Sequence, residues 1–107
     1  MAQIPGKIKN ILINYLSALS DEINVTSAIL FGSYATGKWT PESDIDIAIF
    51  SDHFSGIDRT EAIAFLLDKT LEFKIDLQPL AFENKDLENC HDNPFVNEIV
   101  AHGIKIM

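Results

Sequence analysis

Two short motifs in this chain have residue types and spacing suited to chemistry: Gly32-Ser33 and, after ten intervening residues, Asp44-Ile45-Asp46. Acids two apart on an extended segment project from the same side with Cα atoms about 6.5 Å apart, so their oxygens can converge on a hard cation. Like charges this close raise the pKa of one partner unless a cation lies between them. Mg²⁺ is held by one or two carboxylates together with substrate phosphate oxygens, which makes a metal-bound nucleoside triphosphate the natural cargo of such a pair. Gly32-Ser33 supplies the complementary half. Glycine lets the backbone approach a ligand closely, and the Ser33 amide and hydroxyl, with the amides that follow at a helix start, form an anion site for terminal phosphates. Asp76 is the third acid, on the polar face of a later strand. There it completes a carboxylate trio, either as a ligand of a second metal or as the base that accepts a proton from an attacking hydroxyl.

The surrounding periodicity supplies elements that can position these residues. Ile8, Ile11, Leu12, Tyr15, Leu16 and Leu19 recur at helical spacing behind Pro5, which predicts an amphipathic first helix. Val25 to Phe31 reads as a buried strand that stops at Gly32. Ser33 to Ser43, with Gly37 and Pro41 among polar neighbours, reads as a short helical turn and then a loop. Asp44 to Phe50 alternates as a strand, with Asp44 and Asp46 on one face. Arg59 to Thr70 is a helix with Ala62, Ile63, Leu66 and Leu67 on one side. A third strand runs from Phe73 to Leu80, with Phe73, Ile75 and Leu77 on one face and Lys74, Asp76 and Gln78 on the other. In the last helix Asn93 caps, Pro94 takes the first position and Gly103 ends the run; Ile104-Lys105-Ile106 is too short to classify. The expected class is α+β: a small mixed sheet of at least three strands with helices mainly on one face.

Length and composition bound the partners. The 107 residues suit one compact domain, 1–107, and 47% apolar content is too high for a disordered tail. A net charge of −8, with Arg59 the only arginine, leaves no basic stripe to displace counterions from a phosphate backbone, so duplex nucleic acid is not an expected partner. Cys90 is the single cysteine and no internal disulfide is possible. No stretch approaches the ~20 apolar residues of a membrane span or looks like a signal peptide, so no membrane association and a cytoplasmic home are expected.

The remaining polar residues read more plainly. Cys90-His91 lacks a second spaced ligand and reads as loop or filler rather than a thiolate or metal pair, and His53 and His102 read the same way. Trp39 either stacks on a base, lines an interface or packs internally, and the sequence does not choose among these. The acidic stretch Glu83 to Asp92 reads as a solvated face, with docking on a basic partner as the alternative.

Leu30-Phe31-Gly32-Ser33-Tyr34-Ala35-Thr36-Gly37, followed by Ser43-Asp44-Ile45-Asp46, resembles the signature of the minimal nucleotidyltransferases of the DNA polymerase beta-like superfamily. The matched core runs from Val25 to Phe50, and Asp76 fits the family's third carboxylate. The resemblance implies that an acceptor hydroxyl attacks the α-phosphate of a triphosphate and pyrophosphate leaves. Asp44, Asp46 and Asp76 are then the catalytic and Mg²⁺-holding acids, and Gly32 and Ser33 grip the leaving phosphates. Members of the family often carry arginine where Thr36 stands; Lys38 is the nearest substitute in the sequence and is taken as a nucleotide-binding residue.

Larger members of the superfamily hold the acceptor with an extra domain, so the shortness of this chain implies a partner. The resemblance points to the antitoxin half of HEPN and minimal-nucleotidyltransferase pairs, in which AMP from ATP, or another nucleotide, is attached to a tyrosine of a helical RNase toxin. Such a chain is expected as a hetero-oligomer with its partner or as a homo-oligomer. Two alternatives stand beside this reading. One is the catalytic subunit of a two-protein transferase acting on a small molecule such as an aminoglycoside; the other is a non-catalytic, nucleotide-binding antitoxin that neutralises by covering. Template-directed polymerisation lacks the basic surface it would need.

Overall fold

The computed structural model of the chain describes residues 4–71, 73 and 76–107. Helix α1 (Gly6–Ser20) leads into strand β1 (Ser27–Phe31), the four-residue turn α2 (Ser33–Thr36) and strand β2 (Ile45–Phe50). Helix α3 (Arg59–Thr70), strand β3 (Leu77–Phe82), the short helix α4 (Asn84–Glu88), helix α5 (Pro94–His102) and the two-residue strand β4 (Ile104–Lys105) complete the order. The strands form one mixed sheet ordered β3-β2-β1-β4, with β1 antiparallel to both its neighbours and β2 parallel to β3. A parallel pair needs a crossover, and α3 is that crossover.

Each sheet face has its own apolar layer. Leu12, Tyr15, Leu16 and Leu19 of α1 and Ala62 and Leu66 of α3 meet Ala28, Leu30, Ile45, Ile47, Ile49, Leu77 and Ala81 in the larger cluster. The Tyr15 hydroxyl donates to the Leu66 carbonyl at 2.8 Å and ties the two helices together. Burial pushes the Tyr15 phenol above its ordinary pKa. The opposite strand residues, Ile29, Ala48, Phe50 and Phe82, meet Val96 and Ile99 of α5 in a smaller cluster. The two longest helices thus lie on one face, as the sequence implies, while α5 adds a lighter cover on the other. Asn93 starts α5 by accepting from the amides of Phe95 and Val96 at 3.0 and 3.3 Å.

One helix face and three strand boundaries differ from expectation. Helix α3 turns in Ala62, Leu66 and Thr70, spaced four apart, so Leu67 stands 40% exposed rather than on the packed side. The first strand starts two residues later than its apolar run, at Ser27, and β2 starts at Ile45, one residue after Asp44. The third strand begins at Leu77 and runs on through Pro79 to Phe82, so Phe73 and Asp76 precede it; the expected places of Lys74 and Ile75 lie outside the described residues. Proline is tolerated there for a reason visible in the ladder. The carbonyls of Asp76 and Phe82 accept from Ile45 and Ser51 at 3.0 Å each, so the backbone groups of even-numbered residues face β2 and the backbone nitrogen of buried Pro79 turns away from it on an edge strand. Among the described residues no helix is long and apolar enough to cross a membrane.

Candidate functional site

The site forms where β1 ends. Gly32 has φ +76° and ψ −152°, a region essentially reserved for glycine, and a Cβ built on it would run into Oδ2 of Asp46. The next Asp46 atoms, Cγ and Cβ, lie 3.3 and 3.5 Å from that position. The absent side chain of Gly32 is therefore what lets the turn lie against the second acid of Asp44-Ile45-Asp46. The Gly32 carbonyl accepts from the amides of Ala35 and Thr36 at 3.1 and 3.2 Å, so the Ser33 and Tyr34 amides precede the first bonds of the turn and point from its open end. Gly37, with φ +80°, ends the turn in the left-handed region and donates its amide to the Ser33 carbonyl.

Alternation along β2 places Asp46 on the same face as Ala48 and Phe50, the face α5 covers, and Asp44 follows on that side. Asp44 is exposed and Asp46 half-buried. Burial raises the pKa of the Asp46 carboxyl above its ordinary value, and the charge of Asp44 raises it further. Asp76 is exposed just ahead of β3, and its carbonyl accepts from Ile45 at 3.0 Å. One step before the pairing of Ile45 with Leu77, this puts Asp76 alongside Asp44. The structure therefore brings Gly32 against Asp46 and sets Asp44 and Asp76 just ahead of the adjacent strands β2 and β3. Among the described residues, no three His, Cys, Asp or Glu side chains gather closely enough to hold a metal ion.

This donor set can be tested against Mg²⁺. An acid pair in which burial and a like charge both disfavour ionisation is relieved by a cation, and Mg²⁺ needs only one or two protein carboxylates when phosphate and water supply the rest. Asp46, with the charge of Asp44 beside it, fits that description, and the Gly32 turn lies against Asp46, where a phosphate would have to sit.

The other residues singled out from the sequence fall as follows. Thr36 turns its hydroxyl back on its own turn, 3.4 Å from the carbonyls of Gly32 and Ser33. Lys38 is exposed on the loop after the turn, its amide donating to the Ser33 carbonyl at 3.0 Å. Trp39 stacks on Tyr34, with ring centres 5.6 Å apart and planes within 6°, so its main partner is internal. His53 lies against Phe54 and Phe65, Cys90 packs on the smaller cluster and His102 pairs with Glu98 at 3.8 Å. Within the acidic stretch, Leu87 packs on the smaller cluster, and the Glu83 amide donates to Asp86 at 2.9 Å at the start of α4.

Register adds two residues to the site. Phe31 and Gln78 are the direct neighbours of Asp46 on β1 and β3. Gln78 is exposed beside it, and Phe31 helps line a cleft of about 220 Å³ with Gly32, Thr36, Phe95 and Ile99. Alternation puts Gln78 on the same face as Asp76, but only the pairing of β2 with β3 reveals that Gln78 is the one beside Asp46.

Comparison with known proteins gives a family and a fold. The model of the nucleotidyltransferase domain family matches residues 10–106. A Methanocaldococcus jannaschii protein named "Putative protein adenylyltransferase" is 41% identical over 74 residues, covering 67% of this chain and 74% of that protein. A second protein of that name from the same organism is 33% identical over 101 residues, covering 92% of this chain and 93% of that protein. Among solved structures, a chain titled "putative nucleotidyltransferase", from Sulfolobus solfataricus, superposes with a TM-score of 0.56 at 17% identity, covering 76% of this chain and 68% of that one, a likeness of fold.

Proposed function

Because this chain belongs to the nucleotidyltransferase domain family, we propose that it transfers AMP from ATP, in a Mg²⁺-dependent reaction, to a hydroxyl of a protein. The acceptor in this reading is a tyrosine of a helical HEPN-type RNase partner, which the modification neutralises, so the chain acts as a cytoplasmic antitoxin built as one domain over residues 1–107. The observation that carries the reading is the contact between Gly32 and Asp46, which joins a phosphate-binding turn to a carboxylate pair. Support for a protein acceptor and an adenylyl group comes from the names of the relatives.

Each residue then has a task. Asp44 and Asp46 would hold the metal, while Asp76, alongside Asp44, stands outside that pair; Mg²⁺ would neutralise phosphate charge and stabilise the leaving group. The Ser33 amide and hydroxyl and the Tyr34 amide bind the β- and γ-phosphates, with Lys38 as the nearby cation. The acceptor oxygen forms a bond to the α-phosphorus as the α–β bridging bond breaks. Its proton passes to the Asp76 carboxylate, and pyrophosphate leaves along the Gly32-Ser33 turn.

The test incubates the purified chain with α-labelled ATP, Mg²⁺ and the protein encoded by the adjacent reading frame. Label on a tyrosine of that protein, absent with EDTA and with Asp44→Asn/Asp46→Asn, is the expected result. Label on an added aminoglycoside in place of the protein overturns the protein-acceptor reading. The inward-turned Thr36 hydroxyl favours a second reading, neutralisation by covering, because the turn then lacks a cation at that position. Neutralisation that survives Asp44→Asn/Asp46→Asn decides for it.

A further inference from the structure

The sheet register sets Phe31, Asp46 and Gln78 in one row across β1, β2 and β3. The row is closed at one end and open at the other. At the β1 end, Phe31 meets Phe95 of α5 edge to face with ring centres 6.0 Å apart, and the Gly32-Ser33 turn begins beside it. At the β3 end, Gln78 is exposed on the edge strand of the sheet. Displacement at phosphorus sets the attacking oxygen and the leaving group on opposite sides. With the leaving phosphates on the turn that follows β1, the attacking hydroxyl arrives from the β3 side.

We propose that Gln78 is an acceptor-positioning residue: its carboxamide, donor and acceptor at once, hydrogen-bonds the hydroxyl-bearing polypeptide and holds it in line over Asp46. This rests on the nucleotidyl-transfer reading above. Asp76, two residues earlier on the same face, is left to take the proton, so the outer edge of the sheet divides into a base and a clamp.

The experiment follows pyrophosphate release with N-acetyltyrosinamide as the hydroxyl probe, for the wild type, Gln78→Ala and Gln78→Asn. Loss of one neutral hydrogen bond predicts a fall of about fivefold to tenfold in kcat/KM for the probe with Gln78→Ala. The KM for ATP and the Tm should stay at the wild-type values, and Gln78→Asn should recover part of the loss. A rise in the ATP KM equal to the loss on the probe overturns the proposal, since Gln78 then serves the nucleotide. Unchanged kinetics for both substrates overturns it as well. A wild type that releases no pyrophosphate with either the probe or the protein encoded by the adjacent reading frame defeats the transfer reading itself, and the role of Gln78 with it; that failure is seen without any substitution, which keeps the two apart.

Discussion

Gly32→Ala tests the site where its logic is tightest. Alanine at this position meets two separate penalties. The first is conformational: φ +76° with ψ −152° lies in a glycine-only region and carries about 1–3 kcal/mol for any other residue. At about 4–8 °C per kcal/mol for a chain near this size, Tm should fall by about 5–20 °C. The second is steric, because the new methyl collides with the Asp46 carboxylate oxygen. That oxygen is the end of a side chain and can swing away, so the protein should still fold, with the acid displaced from the turn. Displacements of about 1 Å at a reacting centre cost ~100-fold in rate, which is the expected loss of transfer activity.

A double-mutant cycle separates the two penalties. In an Asp46→Ala background the nearest remaining atom of residue 46 is Cβ, 3.5 Å from the new methyl, an ordinary contact. The steric part should vanish and the conformational part remain, giving a coupling of about 0.5–3 kcal/mol between the two positions, measured by denaturant melts of all four proteins. Equal destabilisation by Gly32→Ala in both backgrounds would refute the contact between turn and acid. A Gly32→Ala protein with wild-type Tm and wild-type transfer would refute the whole construction of the site.

The parts of this site that were readable without coordinates are the local ones. Gly32 and Asp46 announce themselves because a strand stop and a two-residue alternation are properties of neighbouring residues, and Asn93, Pro94 and Gly103 mark α5 for the same reason. What the chain does not disclose locally is pairing. The shift of the third strand to Leu77–Phe82 follows from a parallel ladder in which the Pro79 nitrogen points away from β2, a fact set by β2 rather than by the residues around Pro79. The two residues of β4 become a strand only because β1 offers its outer edge at Ile29 and Leu30. The cover given by α5 arises in the same way: Val96 and Ile99 show an apolar stripe in the sequence, but nothing in it says which sheet face the stripe meets. The neighbours of Asp46, Phe31 and Gln78, are likewise products of register, and so the acceptor side of the site stays hidden until the sheet is assembled.

Two further outcomes follow from the same packing. Gly103→Ala would drive a methyl into the Ile29 side chain and into the carbonyls of Ile99 and Leu30, backbone that cannot swing aside, and should destabilise by about 1–3 kcal/mol or more in thermal melts. Asp46→Asn should stabilise the metal-free protein at neutral pH, and the sign comes from the direction of the shift. Burial, with the charge of Asp44 added, holds the folded-state pKa of Asp46 above its unfolded value, so the folded chain keeps this proton to higher pH than the unfolded chain does. The stabilisation from the protonated acid is complete below the unfolded pKa and is lost as pH rises through the folded one, leaving an ionised, poorly solvated acid at neutral pH. Asparagine carries no such charge, so the advantage of the variant in Tm should grow with pH across the carboxylate range and then level off. Magnesium with ATP should raise the Tm of the wild type and fail to raise that of the variant. A Tm difference flat from acid to neutral pH would show that Asp46 is no less comfortable ionised in the fold than in water, and the reason for placing a cation beside it would go with that result.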